Sequence, residues 1–250
     1  MQCFDTILDV IGRSPLIKVR SMSNGFSGVV LAKMESMNPG HSAKDRIAHF
    51  IIAKAEEEGK IQPGGTIIES SSGNTGFSMA MVSAVKGYNC ILCVPDKISK
   101  EKIQLMESLG AEVRICSSKV SYDHPESHHS LADRLNKDIK NSIYINQYFN
   151  DYNLEAHYQT TGPEIWEQTE GKITHFLAAM GTGGTISGTA KYLKEQNPEI
   201  KVIGIDAYGS ILQKYHEDRI IDPKESYSYV LEAVGKKFIP SATDFDVIDK

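Results

Sequence analysis

Thr66-Ile-Ile-Glu-Ser-Ser-Ser-Gly-Asn-Thr-Gly76 runs directly into Phe77-Ser-Met-Ala-Met-Val-Ser-Ala-Val85. A short apolar run, a turn of small hydroxyl residues and an apolar stretch without proline read as strand, tight turn and helix. The same order recurs in His175-Phe-Leu-Ala-Ala-Met-Gly-Thr-Gly-Gly-Thr-Ile-Ser-Gly188. Outward from these two junctions, further strand-length runs fall at 29–34, 89–94, 112–116, 143–146 and 202–205, with 66–69 and 175–179 as the strands of the junctions themselves. Segments of helical period fall between them, near 45–59, 75–87, 99–109, 126–140, 153–169 and 186–196. This alternation predicts an α/β protein built largely on parallel sheets. Gly59, Gly87 and Gly110 stand where three helices need a left-handed closing residue.

Bulk properties narrow the function. The 250 residues carry 27 basic and 32 acidic side chains, a net charge of -5, with no long basic run. That charge pattern argues against nucleic-acid or anionic-membrane partners and for a small molecule. No stretch approaches the length of a membrane helix, and the acidic start Met1-Gln-Cys-Phe-Asp5 lacks the features of a signal peptide, so the expectation is a cytoplasmic protein. Cys3, Cys90, Cys93 and Cys116 read as reduced thiols. The Cys90-Ile-Leu-Cys93 pair lies inside an apolar run and reads as buried strand rather than a redox site. His124, His128 and His129 have no partner at a zinc spacing and read as a solvated loop entering a helix. No metal site is expected.

Chemistry concentrates at the two junctions. Ser71, Ser72, Gly73, Asn74 and Thr75 fall on a turn that opens a helix, where unpaired backbone N–H groups and the helix dipole favour an anion by about 0.3–1 kcal/mol. A plain helix cap needs only one serine and one glycine; this turn offers more, and a carboxylate suits it. At the second junction, Gly181, Gly183 and Gly184 permit close backbone approach, and Thr182 and Thr185 add hydroxyls, which gives a phosphate cradle without a basic residue. No Gly-Lys-Ser/Thr follows, so a P-loop is excluded. A dinucleotide site competes, because Asp206 ends the next strand; against it, Ile186 occupies the third glycine position. Spacing alone leaves the two readings even.

Asn38-Pro-Gly-His-Ser-Ala-Lys-Asp-Arg46 breaks a strand and starts a helix, with Ser42 in the capping position and Lys44 in the first turn. A cation there meets the wrong end of the helix dipole, which lowers its pKa and suits a lysine that forms a Schiff base. The competing reading is a surface lysine paired with Asp45 or a nearby glutamate.

Taken in order, Asn38-Pro-Gly-His-Ser-Ala-Lys-Asp-Arg46, Ser72-Gly-Asn-Thr-Gly76 and Gly181-Thr-Gly-Gly-Thr185 resemble the β-family, or fold type II, of pyridoxal-phosphate (PLP) enzymes, the group of the cystathionine β-synthases and cysteine synthases. The resemblance runs from Ile11-Gly-Arg-Ser-Pro-Leu-Ile-Lys18 to the end and excludes NAD as the cofactor. It implies two open parallel-sheet domains with the active site in the cleft between them: 1–40 with 150–250 as the larger domain, incomplete at its C-terminus, and 41–149 as a smaller one that closes on substrate. It implies that Lys44 binds PLP and moves the substrate α-proton, that Asn74 bonds the PLP 3′-oxygen, and that Gly181, Thr182, Gly183, Gly184 and Thr185 hold its phosphate. Ser71, Ser72, Gly73, Thr75 and Gln147, with the adjacent Tyr148, would bind the substrate.

The reaction so implied is β-replacement on a serine derivative through an aminoacrylate, with a thiol nucleophile, in a homodimer acting on amino acids. Tyr148, Asp123-His-Pro-Glu-Ser-His128 and Glu155-Ala-His-Tyr158 resemble the cystathionine β-synthase branch, and Thr161-Gly-Pro-Glu-Ile-Trp166 the cysteine synthases. Two departures stand out: Ala233 where glycine is usual and Ser71 where threonine is usual. Phosphoserine-dependent, amine-adding synthases of the siderophore or diaminopropionate type share much of the pattern. A catalytically silent scaffold of the same fold is the reading from a different class, which retention of Lys44 and Asn74 disfavours.

Overall fold

The computed structural model describes residues 3–250 apart from 24, 26, 72, 222, 223, 225 and 228. Residues 1–146 form one compact unit and 147–250 a second. Residues 1–40 fall within the first unit; the division that the resemblance implies, 1–40 with 150–250 as one domain and 41–149 as the other, is taken up below as a proposal.

In the first unit, strands β1 (Leu16–Lys18) and β2 (Leu31–Lys33) pair antiparallel. The main sheet is parallel, with the order β5-β4-β3-β6, from β3 (Thr66–Glu69), β4 (Asn89–Pro95), β5 (Ala111–Cys116) and β6 (Ser142–Tyr144). All four residues of β3 are buried, so both its faces are covered, as a near-continuous apolar strand requires. The connecting helices are α1 (Lys44–Glu57), α2 (Asn74–Lys86), α3 (Lys100–Ser108) and α4 (His128–Asp138). Ile68, Ile91, Cys93 and Ala132 form a core that Leu131, Leu135, Ile139 and Tyr144 extend. Cys90 and Cys93 are buried in β4, and burial pushes both thiols up to about 12. The helix-closing glycines behave as expected: Gly59, Gly87 and Gly110 have φ of 66°, 76° and 85°.

Three local readings need correction. The helix at 45–59 begins at Lys44, and Ser42 is not its N-cap; its hydroxyl instead accepts the Lys44 N–H at 3.2 Å. The solvated loop holds for exposed His124 but not for His128 and His129, which open α4 because Ser127 caps it by accepting the Ser130 N–H. His129 Nδ1 lies 2.8 Å from the Ser70 hydroxyl, which also meets the Tyr144 hydroxyl at 2.6 Å.

The second unit pairs β7 (His175–Ala179) with β8 (Lys201–Ile205) in parallel. Helix α7 (Gly184–Gln196) packs on both strands, and Met180, Ile186, Ala190, Val202, Leu212, Phe245 and Ile248 make the core. The helix expected over 153–169 is two, α5 (Tyr152–Gln159) and α6 (Thr161–Gln168). Pro163 accounts for the break, since it has no N–H for the Gln159 carbonyl and its ring crowds that group. Helix α8 (Leu212–Asp218) follows β8.

Candidate active site

Lys44 is the first residue of α1, at the positive end of that helix. Its pKa is lowered, chiefly by burial, while the Glu35 carboxylate opposes the shift. Burial therefore outweighs the charge of Glu35, and the shift is toward the neutral amine. The pairing of Lys44 with Asp45 does not occur. Asp45 turns inward, fully buried, where its Oδ2 accepts the Gly40 N–H at 2.6 Å and its Oδ1 lies 2.5 Å from the Ser78 hydroxyl. Gly40 is glycine because any Cβ there would run into the Asp45 carboxylate. Glu35 is itself gripped by Arg46, at 2.7 Å from both Nε and Nη2, and by Asn38 Nδ2 at 3.0 Å.

The hydroxyl-rich turn leads into α2 with Gly73 as N-cap and Asn74 as first residue. The first helical bond runs from the Phe77 N–H to the Gly73 carbonyl at 3.3 Å, so the N–H groups of Asn74, Thr75 and Gly76 have no acceptor within the helix. Asn74 is exposed and Thr75 buried; Ser71 Oγ is 3.4 Å from the Gly73 N–H. The Ser78 hydroxyl also meets the Asn74 carbonyl at 2.9 Å, so Asp45 and Ser78 tie the start of α1 to the start of α2. Lys44, Ser71, Gly73, Asn74 and Thr75 thus belong to two joined helix starts. Ser72 lies outside the described residues.

In the second unit the loop 181–185 opens α7 with Gly183 as N-cap at a φ of 86°. This helix starts two residues earlier than its periodicity suggests, because the glycines turn within the loop itself. The first helical bond goes from the Ser187 N–H to the Gly183 carbonyl at 2.9 Å, leaving Gly184, Thr185 and Ile186 N–H without helical acceptors. Close packing explains the glycines: a Cβ on Gly181 would strike the Ala233 carbonyl, one on Gly183 the Thr243 side chain, and one on Gly184 the Asn153 amide. Thr243 Oγ1 donates to the Thr182 carbonyl at 3.2 Å, and Gly235 N–H to the Met180 carbonyl at 2.7 Å. Ala233, the residue out of pattern, has a φ of 66°, the left-handed region that favours glycine. The buried Gln147 joins the loop indirectly: Asn153 Nδ2 donates to its carbonyl at 2.7 Å and to Thr182 Oγ1 at 3.0 Å. Tyr148 stands aside from that contact, edge-on to Phe238 and beneath Lys236 Nζ.

A family model described as pyridoxal-phosphate-dependent enzyme matches residues 7–250. The chain belongs to this family. Its PLP-enzyme relatives include a cystathionine β-synthase of Apis mellifera, 47% identical over 246 residues, which cover 98% of this chain and 48% of that protein. A cysteine synthase B of Pseudomonas aeruginosa is 44% identical over 202 residues, covering 81% of this chain and 66% of that one. Among solved structures, a hydrogen sulfide-producing enzyme from Fusobacterium nucleatum superposes with a TM-score of 0.88 at 35% identity, covering 99% of this chain and 80% of that one. The chain spans about half the length of the cystathionine β-synthases it matches. The parallel α/β fold is that of the fold type II PLP enzymes, and the family's cofactor is pyridoxal phosphate.

The residues present fit that cofactor. The loop at 181–185, where close packing admits no Cβ at three positions and α7 begins, suits a phosphate, and a lysine whose pKa is lowered suits covalent attachment. Sequence reasoning missed the residues behind these loops. Asp45, Glu35 and Arg46 brace the turn at Lys44, while Asn153, His157 and Thr243 brace the loop at 181–185. Only the four-residue spacing of Asn153 and His157, which puts both on one helix face, was visible in the sequence. Among the described residues, no helix is long and apolar enough to cross a membrane.

Proposed function

We propose that this chain performs PLP-dependent β-replacement on a serine derivative with a thiol as the incoming group. The observation that carries this is the breadth of likeness to relatives named cystathionine β-synthase and cysteine synthase, over 98% and 81% of the chain. Those names favour the thiol over the amine-adding alternative and over a silent scaffold.

When bound, PLP supplies an electron sink for the substrate α-carbon. Lys44 holds it covalently; once the substrate amine displaces it, Lys44 Nζ takes the proton from Cα. Burial, which keeps the amine toward its neutral form, suits it to that work. The β-substituent then leaves Cβ with its bonding electrons, the thiol gives up its proton as its sulfur bonds to Cβ, and Lys44 returns the proton to Cα. Ser71, Ser72, Gly73 and Thr75, with Gln147 and Tyr148, bind the amino-acid substrate; the positive end of α2 suits its carboxylate. Asn74 serves the 3′-oxygen of the cofactor, and Gly181, Thr182, Gly183, Gly184 and Thr185 its phosphate. The proposal extends to a cytoplasmic homodimer in which 1–40 with 150–250 forms the larger domain and 41–149 the smaller one that closes on substrate.

The test supplies serine, acetylserine or phosphoserine together with sulfide, cysteine or homocysteine, and identifies products by mass spectrometry. One donor and thiol pair should give a PLP-dependent product that Lys44→Ala abolishes. A protein that binds PLP but yields no replacement product with any pair would overturn the proposal.

A further inference from the structure

Helix α5 presents two buried polar side chains to the loop at 181–185. Asn153 is 1% exposed and His157 0%. Asn153 Nδ2 lies 3.0 Å from Thr182 Oγ1, and His157 Nε2 lies 3.0 Å from Thr185 Oγ1. The other ring nitrogen, Nδ1, is 2.8 Å from Thr161 Oγ1 at the start of α6. Each hydroxyl of the loop therefore has one partner on α5.

Proton counting gives these contacts a direction. An amide nitrogen only donates, so the Thr182 hydroxyl accepts from Asn153 and its single proton points elsewhere. The Asn153 Oδ1 has no hydrogen-bond partner among the described residues, so the amide sits there on account of its nitrogen. A neutral imidazole has one N–H and one acceptor. With the proton on Nε2, Thr161 donates to Nδ1, the ring donates to Thr185, and the Thr185 proton is left over. With the proton on Nδ1, the Thr185 proton is consumed by the ring. Only the first arrangement leaves two hydroxyl protons for an anion.

We propose that Asn153 and His157 are positioning residues that set the Thr182 and Thr185 hydroxyls as donors toward a bound phosphate group, with His157 as the Nε2–H tautomer held by Thr161. The inference rests on the reading of 181–185 as the phosphate loop. It assigns to α5 an orienting function rather than a merely supporting one, because the direction of each hydrogen bond decides whether the loop attracts an anion.

The test measures PLP dissociation constants and the 31P resonance of bound PLP in the intact protein and its variants. His157→Leu raises the dissociation constant about tenfold, the worth of one hydrogen bond, and shifts the 31P resonance. His157→Gln, which retains an N–H donor near the Nε2 position, recovers most of both. Asn153→Asp, isosteric but accepting where asparagine donates, weakens binding likewise. Should the leucine variant fail to fold, Thr161→Val keeps the imidazole and removes the group that holds its tautomer; a several-fold loss of affinity is expected. Wild-type affinity in His157→Leu or Thr161→Val, or equal weakening by leucine and glutamine, overturns the inference. Wild-type protein that binds no PLP would instead refute the functional reading beneath it.

Discussion

Replacing Asp45 separates two accounts of why Lys44 sits where it does. The carboxyl is fully buried, accepts the Gly40 N–H at 2.6 Å and lies 2.5 Å from Ser78 Oγ, which in turn meets the Asn74 carbonyl. Asp45→Ala removes both bonds and strands the buried Gly40 N–H; at about 1–1.5 kcal/mol each, the loss is about 2–3 kcal/mol. Asp45→Asn can satisfy every group, with its oxygen on Gly40 and its nitrogen donating to Ser78, which then donates to Asn74. It should cost less than about 1 kcal/mol. The two variants also differ in pH response. Burial raises the Asp45 pKa above the ordinary value of an aspartate. A raised folded pKa means that the contribution of Asp45 is fully present below the unfolded value and is lost as pH rises through the folded one. The asparagine variant should therefore gain on wild type between about pH 4 and about pH 7. Urea unfolding at both pH values measures this. If Asp45→Asn is as damaging as Asp45→Ala, or loses ground as pH rises, the hydrogen-bond account of the Lys44 turn is wrong.

Glu35→Gln removes the carboxylate that the Arg46 guanidinium, its side chain 1% exposed, grips at 2.7 Å and should cost about 3 kcal/mol in urea unfolding. The same change removes the one charge that holds the Lys44 pKa up, so the pH at which Lys44 reacts with an amine label should fall. Gly183→Ala places a Cβ against Thr243 at a φ of 86°, and should cost about 2 kcal/mol or more in thermal unfolding and weaken PLP binding. An alkylating reagent should modify exposed Cys3 in the native protein while Cys90 and Cys93, buried and with thiols pushed up to about 12, react only after denaturation. Labelling of Cys93 at the rate of Cys3 would contradict the burial of β4.

Much of the fold was legible because two signals coincided at each junction. At Thr66–Glu69 and His175–Ala179 the apolar run ends at a turn of small residues, and both strands fall where the pattern places them. The break between α5 and α6 was missed because apolar period continues through Thr160, while the backbone answers to Pro163. Helix α8 has seven residues, too few for a periodic signal, and Leu212 and Tyr215 hold it against the core. Lys44 was legible as a residue but not as an environment. Its first-turn position follows from Asn38-Pro-Gly40, whereas its burial depends on tertiary packing that no local pattern records. The same holds for Ala233, whose left-handed φ explains the glycine expected there, and for His129, which pairs with Ser70 59 positions away.

Lys44 remains the residue on which the account stands, and one measurement tests it most directly. PLP is added to the purified protein, the adduct is fixed with borohydride, and the modified peptide is sequenced by mass spectrometry. The account predicts a single phosphopyridoxyl group on the lysine of Asn38-Pro-Gly-His-Ser-Ala-Lys-Asp-Arg46, absent from Lys44→Ala. A label on any other lysine, or an unchanged yield from Lys44→Ala, would contradict it.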